Sequence, residues 1–296
     1  MQKVSILHLI TAAKNASPFD VNMAFDAGFD KIMPYTDVAL DEVTALTQDA
    51  MFSRSPSGIK SEGLFFGGRD IHLAIDMQKL AKSAMFSPFE MSTFADPSGA
   101  FTTAAAMLAK IDAALKAHNQ TWQQQTIAIF GASGTVGTAC ALIAANQGAT
   151  ILLVAHRNIA QTQALATQLQ QQYGLIAQAV DGTTDIAKTA LLQNATIAVC
   201  AAAAGVRVLE SRHFIMSNSL KIMADVNAVA PTGVERLDVM SDGSNIANTK
   251  ITGFGALAVG QLKYITQQKM LQHMLSAQAP VHLDYNHAFD IACAAI

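Results

Sequence analysis

Apolar and polar residues in this 296-residue chain alternate between short continuous runs and helical stripes almost from end to end. Residues 4–10 form a run of strand type. Residues 18–28 carry helical spacing, with Pro18 near the first turn. The pattern continues with a strand over 31–35, a helix over 40–50 and a buried-type strand at Leu64-Phe65-Phe66, just before Gly67-Gly68. A helix over 70–85, a strand over 89–94 and a long helix over 102–117 complete the first half. Strands alternating with helices call for a mostly parallel sheet. The second half reads as strand 126–130, helix 134–147, strand 150–155, helix 160–172, strand 175–180, helix 184–192 and strands 196–200 and 220–226. That order describes a doubly wound sheet with right-handed crossovers. Residues 228–248 read as irregular and turn-rich, followed by helices over 255–277 and 286–295 with no strand after them.

The expected fold class is therefore α/β with two domains. One is a Rossmann-type doubly wound parallel sheet over residues 120–254. The other is an α/β domain with a mostly parallel sheet over residues 1–119 with 255–296, which the two final helices return to complete. His118-Asn119-Gln120-Thr121 marks the expected first crossing.

Composition narrows the class without naming a chemistry. The chain is 51% hydrophobic and 14% charged with a formal net charge of -3, the profile of a compact globular protein. There is no Lys/Arg stripe and a single Trp, so nucleic acid is not an expected partner. The longest apolar stretch, 195–209, is interrupted by Gly205 and Arg207 and is too short for a bilayer, so no membrane partner is expected. The opening residues run into a strand without a signal-peptide cleavage pattern, which leads to the expectation of a cytoplasmic protein. Cys140, Cys200 and Cys293 lack metal-ligand spacing and read as buried thiols, with no metal expected.

The chemistry enters at Thr126-Ile-Ala-Ile-Phe-Gly-Ala-Ser-Gly-Thr-Val-Gly-Thr138. An apolar strand leads into a glycine-rich turn that opens a small-residue helix. Gly131, Gly134 and Gly137 permit a tight turn, a close approach to a pyrophosphate and helix-to-strand packing, while the helix N-terminus faces the anion. Ser133, Thr135 and Val136 complete the phosphate cradle, with a helix-cap role open for the two hydroxyls. About twenty residues on, the second strand ends in His156-Arg157 instead of an acid. An acid there would favour the ribose 2′-hydroxyl of NAD; cationic and neutral donors favour the 2′-phosphate of NADP. The expected cofactor is NADP, with NAD possible, and a plain solvated strand end remains the other reading of His156-Arg157. Asp225 and Asn227 follow a strand at its carboxyl end, where open α/β sheets bind ligands. A structural turn explains them equally well.

Several blocks together resemble the NAD(P)-dependent methylene-tetrahydromethanopterin dehydrogenases of methylotrophic bacteria. They are Ser17-Pro-Phe-Asp-Val-Asn-Met-Ala-Phe-Asp-Ala-Gly28, Tyr35-Thr-Asp-Val38, Leu46-Thr-Gln-Asp49 and Phe94-Ala-Asp-Pro-Ser-Gly-Ala-Phe-Thr-Thr103. Val180-Asp-Gly-Thr-Thr184, Asp225-Val-Asn-Ala-Val229 and Gly255-Ala-Leu-Ala-Val-Gly-Gln-Leu-Lys-Tyr264 extend the resemblance over essentially the whole chain. It implies oxidation of a methylene-tetrahydropterin to the methenyl form with hydride passed to NAD(P), in the oxidation of formaldehyde. It also implies a fold related to methylene-tetrahydrofolate dehydrogenases, a pterin substrate lying along the first domain in a cleft, and a homo-oligomer, a trimer. From the family's pattern, Phe19 is expected to contact the pterin, Thr103 to line the site and Lys263 to act in it. Some members carry a histidine four residues after that lysine. Here the position is Gln267, which puts an acid/base role there in doubt.

Hydride leaves a carbon held between two nitrogens, so the step moves no proton and needs orientation above all. The absence of a Ser-His-Asp or metal constellation agrees with this. Lys263 beside a developing cation is better suited to positioning a substrate oxygen, or to a depressed pKa in a dry cleft, than to acid catalysis. Lys263 and Gln267 stand at i and i+4, on one helical face. Without the resemblance, Phe19 reads equally as a core aromatic, Thr102-Thr103 as a helix start satisfying its own amides, and Asp20 as a complement to a helix dipole. Related bifunctional folate enzymes hydrolyse the methenyl product with a Tyr-x-x-x-Lys pair. None of Tyr35, Tyr173, Tyr264 and Tyr285 has a lysine four residues later, so no cyclohydrolase activity is expected. The alternatives are a methylene-tetrahydrofolate dehydrogenase, a shikimate-type dehydrogenase for which no Lys/Asp pair is placed, and a non-catalytic NADP-binding protein.

Overall fold

A computed structural model describes residues 4–296; Met1, Gln2 and Lys3, the head of the expected first run, lie outside the described residues. In chain order the first elements are β1 (Ile6–Ile10), α1 (Pro18–Ala27), β2 (Lys31–Tyr35), α2 (Val43–Phe52), α3 (Pro56–Ile59), β3 (Glu62–Phe66), α4 (Ile71–Ala84), β4 (Ser92–Ala95) and α5 (Ala100–Ala117). Then come β5 (Thr126–Phe130), α6 (Thr135–Asn146), β6 (Thr150–Ala155), α7 (Ile159–Tyr173), β7 (Ala177–Asp181), α8 (Asp185–Leu192), β8 (Ile197–Cys200), α9 (Ser211–Phe214) and β9 (Ile222–Asp225). The chain closes with β10 (Asp242–Asn245), β11 (Thr252–Phe254), α10 (Ala256–Ser276), β12 (His282–Leu283) and α11 (Tyr285–Cys293). None of the described helices is long and apolar enough to cross a membrane.

Packing divides the chain into two compact units, Met1–Thr102 with Tyr264–Ile291 and Thr103–Lys263 with Ala292–Ile296. The three divisions fall within α5, α10 and α11, each a continuous helix shared covalently by both units. The sequence division falls in the loops that flank the first two.

The first unit holds a five-stranded sheet in the order β12-β4-β3-β1-β2, parallel throughout. Its centre, β3, is buried at every position, and Phe65 and Phe94 stack edge to face in the core, their ring centroids 5.3 Å apart. β2 is an edge strand on which Lys31, Met33 and Pro34 are exposed, and an edge is where a proline is tolerated. Asp96 nucleates α5: its Oδ1 accepts from the Phe101 amide at 2.8 Å, and its Oδ2 accepts from Thr102 Oγ1 at 2.7 Å.

The second unit holds seven strands in the order β10-β11-β9-β8-β5-β6-β7. All neighbours are parallel except β10 and β11. The order reverses between β5 and β8, the switch point at which doubly wound sheets open a crevice for ligand. Below the sheet a buried cluster that includes Phe130, Leu192, Leu209, Phe214 and Met223 fills the core.

Four local expectations need correction. The helix expected over 40–50 starts as a 3-10 turn, Leu40–Glu42, closed by the Glu42 amide on the Ala39 carbonyl at 3.2 Å, while Glu42 Oε2 accepts from the Ala39 amide at 2.7 Å. The strand expected over 89–94 starts only at Ser92. Phe89 instead closes a turn onto the Phe86 carbonyl, and its ring packs with Phe52 and Phe86. Within the stretch read as irregular, Asp242–Asn245 forms a strand through main-chain pairing with β11, although all its side chains are exposed. The returning C-terminal segment contributes a strand as well as helices: β12 pairs in parallel with β4, His282 opposite Thr93.

Candidate active site

In the second unit, β5 ends at Phe130 and the chain turns through Gly131 at a φ of +80°. A Cβ on Gly131 would lie 2.5 Å from the Ala201 carbonyl oxygen, and one on Gly137 would collide with the Gly131 carbonyl. Only glycine fits either position. At Gly134 the nearest protein atom to a Cβ is the Gly131 oxygen at 3.3 Å, so this glycine is the most open of the three. Gly134 is the N-cap of α6, and no side chain caps the helix. The first helical bond runs from the Thr138 amide to the Gly134 carbonyl at 2.9 Å. The amides of Thr135, Val136 and Gly137 precede it and point out of the helix start, as an anion requires. Thr138 Oγ1 donates to the Ala132 carbonyl at 2.9 Å and holds the turn against the helix.

The same turn borders an open pocket with a cavity of about 60 Å³ at the end of β6, lined by Ser133, His156, Arg157, Asn158, Gln161 and Thr162, among others. His156 and Arg157 are exposed. Asn158 is committed to structure, its Oδ1 accepting from the Ala160 amide at 2.8 Å as the cap of α7. The fold thus brings Ser133 of the glycine turn and the cationic strand end onto one pocket, with no carboxylate in its lining. A dinucleotide fits this arrangement: Gly131, Gly134 and Gly137 with the α6 amides would hold its pyrophosphate, and His156 with Arg157 its adenosine ribose.

Asp225 and Asn227 face inward. Asp225 accepts from the Asn227 amide at 2.9 Å and the Val234 amide at 3.0 Å. Burial raises its carboxyl pKa against those bonds. Its neighbour Cys200 is pushed up to about 12 by burial, with the Asp225 charge adding to the effect. Asn227 Oδ1 accepts from the Gly205 and Val229 amides at 3.2 and 2.9 Å, and its Nδ2 donates to the Pro231 carbonyl at 3.1 Å. Both residues tie together the loops that follow β8 and β9.

In the first unit, Ser17 caps α1 by accepting from the Asp20 amide at 3.4 Å, and Pro18 opens the helix. Phe19 then stands 46% exposed on the first turn, beside an Asp20 that is only 5% exposed. Oδ1 of Asp20 accepts from Gln267 Nε2 at 3.0 Å, and Gln267 is fully buried. Gln267 lies one turn beyond Lys263 on α10, and Lys263 is partly exposed. Thr102 and Thr103 divide their work. Thr102 is buried and spent on Asp96, while Thr103 on the next position of α5 is partly exposed.

A second open pocket, with a cavity of about 380 Å³, lies at the carboxyl ends of β1 and β3. Ala12, Ala13, Gly67, Gly68, Arg69 and Leu73 are part of its lining. Gly67 links it to Asp20, whose Oδ2 would lie 3.7 Å from a Cβ there.

The chain is 43% identical over 289 residues, covering 97% of each chain, to the NAD(P)-dependent methylenetetrahydromethanopterin dehydrogenase of Methylorubrum extorquens. The chain belongs to this dehydrogenase family. Residues 18–98 also match the family model described as methylene-tetrahydromethanopterin dehydrogenase, N-terminal. A second Methylorubrum extorquens relative, bifunctional protein MdtA, is 28% identical over 83% of this chain and 84% of its own. Among solved structures, shikimate 5-dehydrogenase from Listeria monocytogenes superposes with a TM-score of 0.50 at 14% identity, over 97% of this chain and 96% of its own. That likeness is one of fold alone. The dehydrogenase family is thus built here on the expected α/β architecture.

Two features of this family member escaped the sequence reading. Asp20 is a buried partner of Gln267, as its position inside the Ser17-Pro-Phe-Asp block did not reveal. The pocket at Arg69 was signalled only by Gly67-Gly68 directly after an apolar strand, the same punctuation that marks the nucleotide turn.

Proposed function

We propose that the chain oxidises methylene-tetrahydromethanopterin to the methenyl form and passes the hydride to NADP in preference to NAD. The observation that carries the cofactor choice is the pocket shared by Ser133, His156 and Arg157, without a carboxylate to pair with a ribose 2′-hydroxyl. Bound NADP supplies the hydride acceptor. Gly131, Gly134, Gly137 and the amides of Thr135 and Val136 hold the pyrophosphate, and Arg157 with His156 pairs with the 2′-phosphate.

The substrate carbon gives up its C–H bond with both electrons and becomes a cation shared by its two flanking nitrogens. No proton leaves, so the protein's task is to orient the two reactants and exclude misaligned poses. Phe19 offers its half-exposed ring to the pterin face, while Asp20 and Gln267 supply a buried acceptor and amide at the same end of α1. Thr103 and Lys263 position substrate oxygens. Gln267, fixed by Asp20, donates or accepts a hydrogen bond and transfers no proton. Without a Tyr-x-x-x-Lys pair the product leaves unhydrolysed. We read the protein as a cytoplasmic homo-oligomer, a trimer, by resemblance to its family, and sedimentation velocity on the purified protein tests that count.

Steady-state kinetics decide the reading. Methylene-tetrahydromethanopterin should be oxidised far faster than methylene-tetrahydrofolate at equal concentration, with NADP giving the higher kcat/KM. Arg157→Ala should raise the KM for NADP about tenfold, the scale of one charge-assisted contact, and leave that for NAD within twofold. An equal change for both cofactors rejects the 2′-phosphate assignment. Release of formyl product in step with NADPH formation rejects the absence of hydrolysis.

A further inference from the structure

The pocket at the ends of β1 and β3 has a chemistry of its own. Its lining is largely apolar, from Ala12, Ala13, Leu73, Ala74 and Met77, with one cation, Arg69, and one acid, Asp70, both exposed at it. One oxygen of that acid is engaged. Asp70 Oδ1 accepts from the amides of His72 at 2.9 Å and Leu73 at 3.0 Å, capping α4. None of the ion pairs among the described residues includes Arg69. Gly68 directs the chain there with a φ of +112°, which disfavours any side chain, and its carbonyl is held by Ser98 Oγ at 2.8 Å. The cation is thus carried on a fixed turn.

An apolar slot ending at a guanidinium suits a flat apolar group that continues into an anion. Tetrahydropterin C1 carriers have that order of parts: a reduced pterin, a phenyl ring joined through nitrogen, and a tail bearing phosphate or carboxylate. We infer that this pocket seats the phenyl ring of the substrate and that Arg69 pairs with its anionic tail. The inference rests on the proposed placement of the pterin head at Phe19, Asp20 and Gln267. Gly67 provides the continuity, since it lines the slot and lies against Asp20.

The test uses the full-length enzyme with three substrates: intact methylene-tetrahydromethanopterin, a version without the terminal dicarboxylate, and a version ending at the phenyl ring. Arg69→Ala should raise the KM for the intact substrate about tenfold with kcat within twofold, and Arg69→Lys should fall between the two. The KM ratio of variant to wild type should drop to about one on the phenyl-ended version. If the ratio stays high without the dicarboxylate, the phosphate is the partner; if it falls there, the carboxylates are, and either result supports the pairing. Added salt should raise the wild-type KM for the intact substrate and barely move that of Arg69→Ala. An unchanged KM for the intact substrate, or an equal rise on all three, overturns the inference. Phe19→Ala separates this from the parent reading. It should weaken all three substrates, and no effect on any of them overturns the head-group placement and the tail inference together. A Phe19→Ala effect without an Arg69→Ala effect overturns the tail inference alone. Thermal shift by NADP, whose site is in the other unit, confirms that each variant is folded.

Discussion

Gln267 Nε2 donates a 3.0 Å hydrogen bond to Asp20 Oδ1, joining the middle of α10 to the first turn of α1 across 247 residues of chain. Both side chains are buried, so neither exchanges this bond for water. A carboxylate can only accept, which orients the Gln267 amide with its nitrogen toward Asp20 and its oxygen away.

Removing that donor should be costly. Gln267→Leu keeps the approximate volume but takes a hydrogen bond from a buried carboxylate, a loss of about 1–3 kcal/mol. The urea midpoint should fall accordingly, and the KM for the pterin substrate should rise. Gln267→His, which restores a donor, should recover most of both. A Leu variant as stable as wild type rejects this account of the pair.

The glycine turn makes a sharper prediction. Gly137→Ala drives a methyl group into the Gly131 carbonyl, an overpacking that should cost about 1–3 kcal/mol and weaken NADP binding more than tenfold. Gly174→Ala is the contrast. Its φ is +70° with nothing within 4 Å of the added methyl, so it should cost about 1 kcal/mol from conformation alone and leave NADP affinity unchanged. Calorimetric titration of NADP into both variants separates the two mechanisms.

A pH effect should arise at the start of α11. His287 Nδ1 lies 2.8 Å from Asp284 Oδ1, and that bond raises the imidazole pKa above its usual value of 6.5 against the opposing effect of burial. A folded-state pKa above the unfolded one gives stability that is complete below about pH 6.5 and is lost as pH rises through the folded value. The melting temperature should therefore decline between neutral and mildly alkaline pH, and His287→Gln should flatten that decline. His282 does not confuse the window, because burial moves its pKa below 6.5. A slope unchanged in the variant would place the titration elsewhere.

The alternating pattern of the chain was enough to give the α/β class and most elements, because buried parallel strands must be apolar runs and their crossover helices amphipathic stripes. It failed where pairing is made by backbone alone. Asp242–Asn245 reads as a turn but is zipped to β11 by main-chain bonds, and the two residues of β12 are too short to show a period. The site divides along the same line. Gly131, Gly134 and Gly137 were legible because a turn that admits no Cβ is a local demand, and the structure supplies the atoms that impose it. Asp225 and Asn227 were legible as residues at a strand end that serve either a ligand or a turn, and the amides they hold come from loops that only the fold brings together.

By itself, then, the sequence determined the strand–glycine turn–helix unit, the His156-Arg157 strand end and the family blocks, all written in residues close together along the chain. Tertiary structure alone decided which of the polar residues look inward. It paired Asp20 with Gln267 across the chain, turned Asp225 and Asn227 onto backbone amides, and kept Arg69 out of the ion pairs among the described residues, at an apolar slot that Asp70 also lines. The physical reason is that burial and hydrogen-bond pairing are set by partners far away in sequence, whereas steric demands on a turn are met within a few residues.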